Sequence, residues 1–289
     1  MPLIRPMTYQ ELVQQVQWAD REGWEPGVND ADQFWQLDPE GFLAMEQEGQ
    51  FLGGGAIIRH NEQFGFMGLF ILDAEHRGKG LGTQLWFARR DQLLERLGPG
   101  ATIGLDGVYP MVPFYEKGGF RQLTRQRRYR LEPSSAGCST NENMVDLGMV
   151  DLGMVESEKI AQYDLYGFPV PRKHFLSRWI KQPTAISLGY LIDGELGGFG
   201  VMRHCSSGWR IGPLFADDVH VAENLLTAFQ SHQAGKPIFI DIPDANPAVA
   251  QLRETYGLKE TFGCIRMYYG PPPAMDFTRV FGATTLEVG

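Results

Sequence analysis

The sequence predicts an α/β protein made of two successive copies of one domain. Three observations carry this expectation. The order helix, helix, three strands, helix, strand, helix, strands occurs twice along the 289 residues, which is the signature of a duplicated unit. A polar, turn-rich stretch over residues 132–143 separates the two runs and reads as a linker. The chain exceeds an average domain, and its 43% hydrophobic and 21% charged residues can build soluble cores.

In the first copy, residues 2–7 read as a short strand. Thr8 with Glu11 three positions later forms a capping box ahead of a helix to about Asp20. Asn29 or Asp30 caps a second, short helix through Phe34-Trp35. Strands follow over 41–47, 51–59 and 63–72, with a hairpin turn at Asn61-Glu62. A long helix is expected over 81–97, with Leu81, Leu85, Ala88 and Leu97 towards one face and Gly98-Pro99-Gly100 as its stop. A buried strand at 102–105, a short helix at 112–117 and two strands within 120–131 complete the copy.

The linker runs into Met144-Val-Asp-Leu-Gly, repeated at once as Met149-Val-Asp-Leu-Gly. Five residues are too few for a structural repeat, so the duplication reads as a tolerated loop insertion. The domains are expected at 1–132 and 155–289, with 133–154 between them. In the second copy, helices are expected over 156–165, 171–181, 218–230 and 247–256. Strands are expected over 185–192, 196–203, 209–215, 237–242, 259–269 and 279–287.

Chemistry concentrates at Arg77-Gly78-Lys79-Gly80-Leu81-Gly82, where a strand meets the long helix. Glycines let backbone N–H groups converge, and a helix start adds free donors and a positive dipole end. The combination suits a phosphate or pyrophosphate. The spacing is neither a Walker A loop nor a dinucleotide-binding fingerprint. On spacing alone, a plain glycine turn stays open.

With Phe114-Tyr115-Glu116-Lys117-Gly118-Gly119-Phe120 downstream, the first half resembles the GNAT N-acetyltransferase superfamily over residues 1–131. The family signature, Arg/Gln-x-x-Gly-x-Gly/Ala after the fourth strand, is matched at every fixed position by Arg77–Gly82. The resemblance implies two tandem domains, each a mostly antiparallel mixed sheet flanked by helices. It implies acetyl-CoA as cofactor, with its pyrophosphate on Arg77, Gly78, Lys79, Gly80, Leu81, Gly82 and Thr83. The pantetheine arm would lie along Phe70, Ile71 and Leu72. Tyr115 would give a proton to the departing thiolate; on residues alone it is equally a packed aromatic. An Asn that many members carry about seven residues earlier is replaced here by Val108. Asp106 and Asp73 are candidate bases and also ordinary turn or cap residues. Asp30, Asp32, Trp35, Tyr109, Met111 and Phe114 are candidates for the acceptor pocket.

The second half resembles a degenerate copy, like the C-terminal half of tandem bacterial acetyltransferases. Its corresponding loop, Gly212-Pro-Leu-Phe-Ala-Asp217-Asp218, lacks the Arg/Gln and the later glycines. Its two aspartates can cap the helix and would repel a pyrophosphate. One acetyl-CoA per chain is therefore expected, in the first half, with the second half shaping the acceptor site. The implied reaction is acetyl transfer to a primary amine of a small molecule; a non-catalytic acyl-CoA sensor is the alternative.

Composition limits the other partners. A net charge of −9 disfavours nucleic acid. The alternating basic run Arg125, Arg127, Arg128, Arg130 reads as the solvated face of a strand. No apolar run is long enough to span a membrane, and the N-terminal Met-Pro-Leu-Ile-Arg-Pro-Met has no apolar stretch for a secretory signal. Six histidines without paired spacing give no metal site, and three scattered cysteines fit a reducing cytoplasm.

Overall fold

The computed structural model describes residues 2–133 and 148–289. Cys138 and the first four residues of the duplication's first copy, Met144 to Leu147, lie outside them. The chain divides into two compact units, and each is built on a six-stranded path.

Unit 1 comprises residues 1–123, 264–273 and 286–289. It holds β1 (Leu3–Pro6), α1 (Tyr9–Arg21), α2 (Asp30–Leu37), β2 (Phe42–Gln47), β3 (Gln50–Arg59), β4 (Phe64–Leu72), α3 (Leu81–Arg96), β5 (Thr102–Val108) and α4 (Val112–Lys117). The Thr8–Glu11 capping box forms as expected. Asn29 occupies the N-cap of α2 without a side-chain capping bond. Strand order is β1-β2-β3-β4-β5, antiparallel except for the parallel β4–β5 pair. The sixth place, beside β5, is taken by β12 (Lys259–Tyr269), which comes from the far end of the sequence.

Unit 2 comprises residues 124–263 and 274–285. It holds β6 (Arg121–Leu131) from Thr124 onward, β7 (Met149–Asp151), α5 (Ser157–Asp164), α6 (Lys173–Trp179), β8 (Ile186–Ile192), β9 (Glu195–His204), β10 (Trp209–Ala216), α7 (Val219–Ser231), β11 (Ile238–Pro243), α8 (Val249–Tyr256) and β13 (Val280–Gly282). Its order, β7-β8-β9-β10-β11-β6, repeats that of unit 1. Here β6, the last strand of the first half, takes the sixth place, antiparallel to β11.

The units therefore do not follow the expected boundaries at 132 and 155. The first half of the sequence contributes β6 to unit 2, and the second half contributes β12 to unit 1. A buried, two-point ion pair marks each exchange. In unit 2, Arg128 on β6 lies directly across from Asp241 on β11 and donates from Nε and Nη2 at 2.8 and 2.9 Å. Arg210 on β10 adds a third bond to the same carboxylate at 2.7 Å. In unit 1, Arg266 on β12 lies directly across from Asp106 on β5 and donates at 2.8 and 2.7 Å. Apolar side chains of the exchanged strands enter the cores: Ile265 and Met267 in unit 1, Tyr129 and Leu131 in unit 2.

Three further expectations change. Residues 121–131 form one strand, not two; of the basic run, Arg128 is buried against Asp241, while Arg127 pairs with Asp244 and Glu260 and Arg130 with Glu132. The second copy of the duplication is not a loop: Met149–Asp151 pairs with β8 as an edge strand. The buried face of α3 is Leu85, Trp86, Arg89 and Leu93, because the expected apolar stripe is rotated by the aromatic Trp86. Among the described residues no helix is long and apolar enough to cross a membrane.

Two outcomes follow from this packing. Burial pushes the Asp241 carboxyl up, but the Arg128 and Arg210 guanidinium groups outweigh it and hold it at about 2. A lowered carboxyl contributes stability that is present above its unfolded value of about 4 and lost as pH falls towards the folded value. Asp241→Asn removes that contribution and strands two buried cations, so chemical denaturation at neutral pH should show a loss of about 3–5 kcal/mol. Deleting one five-residue copy leaves a single Met-Val-Asp-Leu-Gly to pair with β8. Unfolding free energy should then change by no more than about 0.5 kcal/mol, as for a change outside the core.

Candidate active site

The site in unit 1 begins where the two parallel strands part. β4 and β5 pair from Phe64↔Thr102 to Met67↔Leu105, and no further. The cause is a bulge. Between the pairs Ala56↔Gly68 and Gly54↔Ile71, β3 contributes one residue and β4 two, and Leu69 takes φ +47°. A bulge leaves carbonyls without ladder partners. Two buried side chains supply them. Gln15 on α1 places Nε2 at 3.0, 2.8 and 3.1 Å from the carbonyls of Gly54, Leu69 and Ile71. Arg89 on α3 donates from Nη2 to the carbonyls of Ala56 and Gly68 at 2.6 and 2.7 Å. Neither residue is marked by any motif, and a polar side chain on an amphipathic helix gives no sequence signal of such a role.

Phe70, Ile71 and Leu72 form the freed end of β4, and the glycine loop follows. Gly78 and Gly80 have φ +75° and +80°, a region open to glycine. Gly80 is the N-cap of α3, so no side chain caps the helix, and its first turn carries no acidic residue. The leading N–H groups of Leu81, Gly82 and Thr83 therefore stand uncapped at a sixteen-residue helix start. Lys79 and Thr83 are exposed beside them. Arg77 is not a free cation: Nε donates to the Leu72 carbonyl at 2.9 Å and Nη2 to Glu22 at 2.6 Å, which fixes the loop to the strand end.

On the other arm, Tyr115 on α4 packs against Gly107 of β5, where a Cβ would meet its ring at 2.7 Å. The Trp86 ring lies 5.9 Å away and Phe114 5.7 Å. Tyr115 is 7% exposed. Burial pushes its phenol up to about 12, and the Arg89 cation partly opposes that. Burial in turn lowers Arg89 to about 10. The tyrosine is therefore fully protonated at neutral pH.

Other expected site residues fall in different places. Both Asp106 oxygens are committed to Arg266, which is a cross-strand clamp. Asp73 accepts from the Glu75 N–H and caps a short turn. Asp30 is fully buried and accepts from the Gly27 N–H at 2.8 Å, at the start of α2; Asp32 on the same turn is exposed. Trp35 stacks on Phe42, which faces Ala56 and, one strand further, Gly68. Tyr109 is 43% exposed, while Met111 and Phe114 are half-buried beside Tyr115. A further element is the segment 286–289, which belongs to unit 1. The Glu287 carbonyl abuts Gly68 so closely that a Cβ there would lie 1.9 Å from it, and His60 Nε2 lies 2.9 Å from the Val288 carbonyl.

The equivalent parting of strands in unit 2 looks different. β10 and β11 pair from Trp209↔Ile238 to Ile211↔Ile240 and then separate. β13 lies in the gap, antiparallel to β10, with the Ala283 N–H donating to the Asp241 carbonyl at 2.8 Å. The helix start is closed as well, since Asp218 accepts from the N–H groups of His220 and Val221 at 2.9 and 3.0 Å.

Comparison with known proteins agrees with this architecture. The GNAT acetyltransferase family model matches residues 9–120, and a second GNAT acetyltransferase domain model matches residues 160–282. The holothin acyltransferase of Pseudoalteromonas sp. (strain SANK 73390) is 24% identical over 99% of this chain and 94% of its own. The uncharacterized N-acetyltransferase YitH of Bacillus subtilis (strain 168) is 26% identical over 71% of this chain and 73% of its own. Among solved structures, a putative acetyltransferase from Pyrococcus horikoshii shares the fold with TM-score 0.80 and 22% identity, covering 100% of this chain and 96% of that one. A tandem GNAT protein from the clavulanic acid biosynthesis pathway shares it with TM-score 0.64 and 12% identity, covering 95% and 100%. The chain belongs to the GNAT acetyltransferase family, with two such domains in tandem.

Proposed function

We propose that this chain transfers an acetyl group from acetyl-coenzyme A to a primary amine of a small molecule, using one coenzyme bound in unit 1. The observation that carries the proposal is the junction of an uncapped helix start with a parted pair of strands and a buried tyrosine. The amides of residues 78–83 suit the pyrophosphate, which brings the negative charge the helix start favours. The freed edge of β4 at Phe70, Ile71 and Leu72 suits the amide-bearing pantetheine arm. The thioester then lies near Tyr115. The amine nitrogen attacks the thioester carbon, the C–S bond breaks, and its electron pair goes to sulfur. The Tyr115 hydroxyl gives its proton to that sulfur, and the proton shed by the amine restores the phenol through water. The similarity to a holothin acyltransferase favours acyl transfer over simple coenzyme binding. Unit 2 has β13 where a pantetheine arm would lie and Asp218 where a pyrophosphate would lie, which supports a single coenzyme per chain.

Four outcomes test this. Calorimetric titration with acetyl-CoA should give one site per chain; two sites would overturn the reading of unit 2. Gly80→Asp keeps a residue that tolerates positive φ and caps a helix, so the fold should hold while affinity for acetyl-CoA falls by about tenfold or more through repulsion of the pyrophosphate. Tyr115→Phe should lower kcat for thiol release with an accepted amine by about a hundredfold, with KM for acetyl-CoA little changed. With the phenol at about 12, the wild-type rate should show no alkaline loss due to Tyr115 from neutral pH to about 10.

A further inference from the structure

We propose that Arg89 is a positioning residue for the transfer step: its buried guanidinium acts through Tyr115 to favour negative charge on the departing sulfur. The proposal rests on the reading of Tyr115 as proton donor. Its basis is geometric. Trp86 and Arg89 stand three residues apart on the buried face of α3, so they share one side of the helix. Trp86 packs on the Tyr115 ring at 5.9 Å. Arg89 lies flat over Gly55 of β3, where a Cβ would come within 2.4 Å of its Cζ. It reaches the carbonyl of Gly68, the first β4 residue beyond the last β4–β5 pair. The cation is therefore anchored where the strands part.

What distinguishes Arg89 is its missing counter-charge. The buried strand arginines Arg128, Arg210 and Arg266 each meet a carboxylate. Arg89 is 1% exposed and, among the described residues, has no carboxylate partner. Its Nη2 bonds two neutral carbonyls, its Nε has no hydrogen-bond partner, and the Phe70 ring lies 5.0 Å from Cζ. An uncompensated buried cation costs stability. Two neutral acceptors satisfy part of its hydrogen bonding but none of its charge. The negative charge appears during the reaction. As the C–S bond breaks, the pair on sulfur takes the Tyr115 proton, and the tyrosinate so formed is stabilised by the Arg89 cation across the buried face of α3 until the proton from the amine returns. A fixed cation at that point stabilises the charge as it develops without reorganising. The reciprocal effect of Arg89 and Tyr115 on each other's ionisation agrees with this placement.

The test uses the full-length chain and free coenzyme A as the probe. Its thiol is titrated with pH while bound, through the ultraviolet absorbance of the thiolate, in the wild type, Arg89→Met, Arg89→Lys, Tyr115→Phe and the double variant Arg89→Met/Tyr115→Phe. The bound thiol should ionise about one pH unit lower than free coenzyme A in the wild type. Arg89→Met should abolish that shift, Arg89→Lys should restore most of it, and Arg89→Met should add nothing in the Tyr115→Phe background. Thiol release from acetyl-CoA should follow the same order, with Arg89→Met slower by about tenfold or more. A thiol in Arg89→Met that ionises as in the wild type overturns the proposal. So does a full effect of Arg89→Met in the Tyr115→Phe background, since that is the additive result of a change in the fold. Failure of coenzyme A to bind the wild type overturns the assignment of the site itself, and that outcome is distinct from binding with an unshifted thiol. Thermal unfolding of Arg89→Met at or above the wild-type midpoint confirms that the variant is folded.

Discussion

The structure depends on a cross-strand contact between arginine and aspartate that occurs once in each unit. Arg266 faces Asp106 on β5, and Arg128 faces Asp241 on β11. Both aspartates sit one residue past the last parallel pair, where the neighbouring strand bends away. The opposite edge of each strand would otherwise be open. In each unit the strand that covers it comes from the other half of the sequence, and it is fixed by a buried charge pair as well as by ladder hydrogen bonds and apolar contacts. Such pairs are weak sources of net stability, but removing one partner is costly because a charge is left buried. They therefore act as locks on register. The exchange makes the duplicated halves interdependent.

The same pattern explains why two similar units differ in chemistry. Parting of parallel strands gives each unit a gap. In unit 1 the gap is bordered by a glycine loop, an uncapped helix start and Tyr115. In unit 2 a strand of the chain fills it, and an aspartate caps the corresponding helix. The duplication has kept the architecture in both places and the free donors in only one. Unit 1 also carries an anchored cation, Arg89, with no carboxylate partner among the described residues, whereas Arg210 and Arg128 of unit 2 converge on Asp241.

Much of this was legible in the sequence. The repeated element order gave two copies of one fold, and nearly every element lies within a few residues of its expected place. The Thr8–Glu11 box and the glycine loop at 77–82 are local features with local causes. The exchange of β6 and β12 was not legible, because alternation fixes which face of a strand is buried and not which sheet it joins. Asp106 was read as a possible base for the same reason: its partner, Arg266, is 160 residues away in sequence. The buried face of α3 departs from the apolar stripe because apolar periodicity passes over an arginine that points inward. Gln15 and Arg89 became visible only once the bulge in β4 showed which carbonyls needed donors. The edge-strand role of the second Met-Val-Asp-Leu-Gly copy depends on β8 being adjacent, which repetition alone cannot indicate.

The central claim is that one coenzyme lies in the gap of unit 1 with its sulfur at Tyr115. A crystal structure of the chain with coenzyme A tests this most directly. The account predicts one coenzyme per chain, with its pyrophosphate on the amides of residues 78–83 and its sulfur within about 3.5 Å of the Tyr115 hydroxyl. A coenzyme displacing β13 in unit 2, or a sulfur directed away from Tyr115, would contradict it.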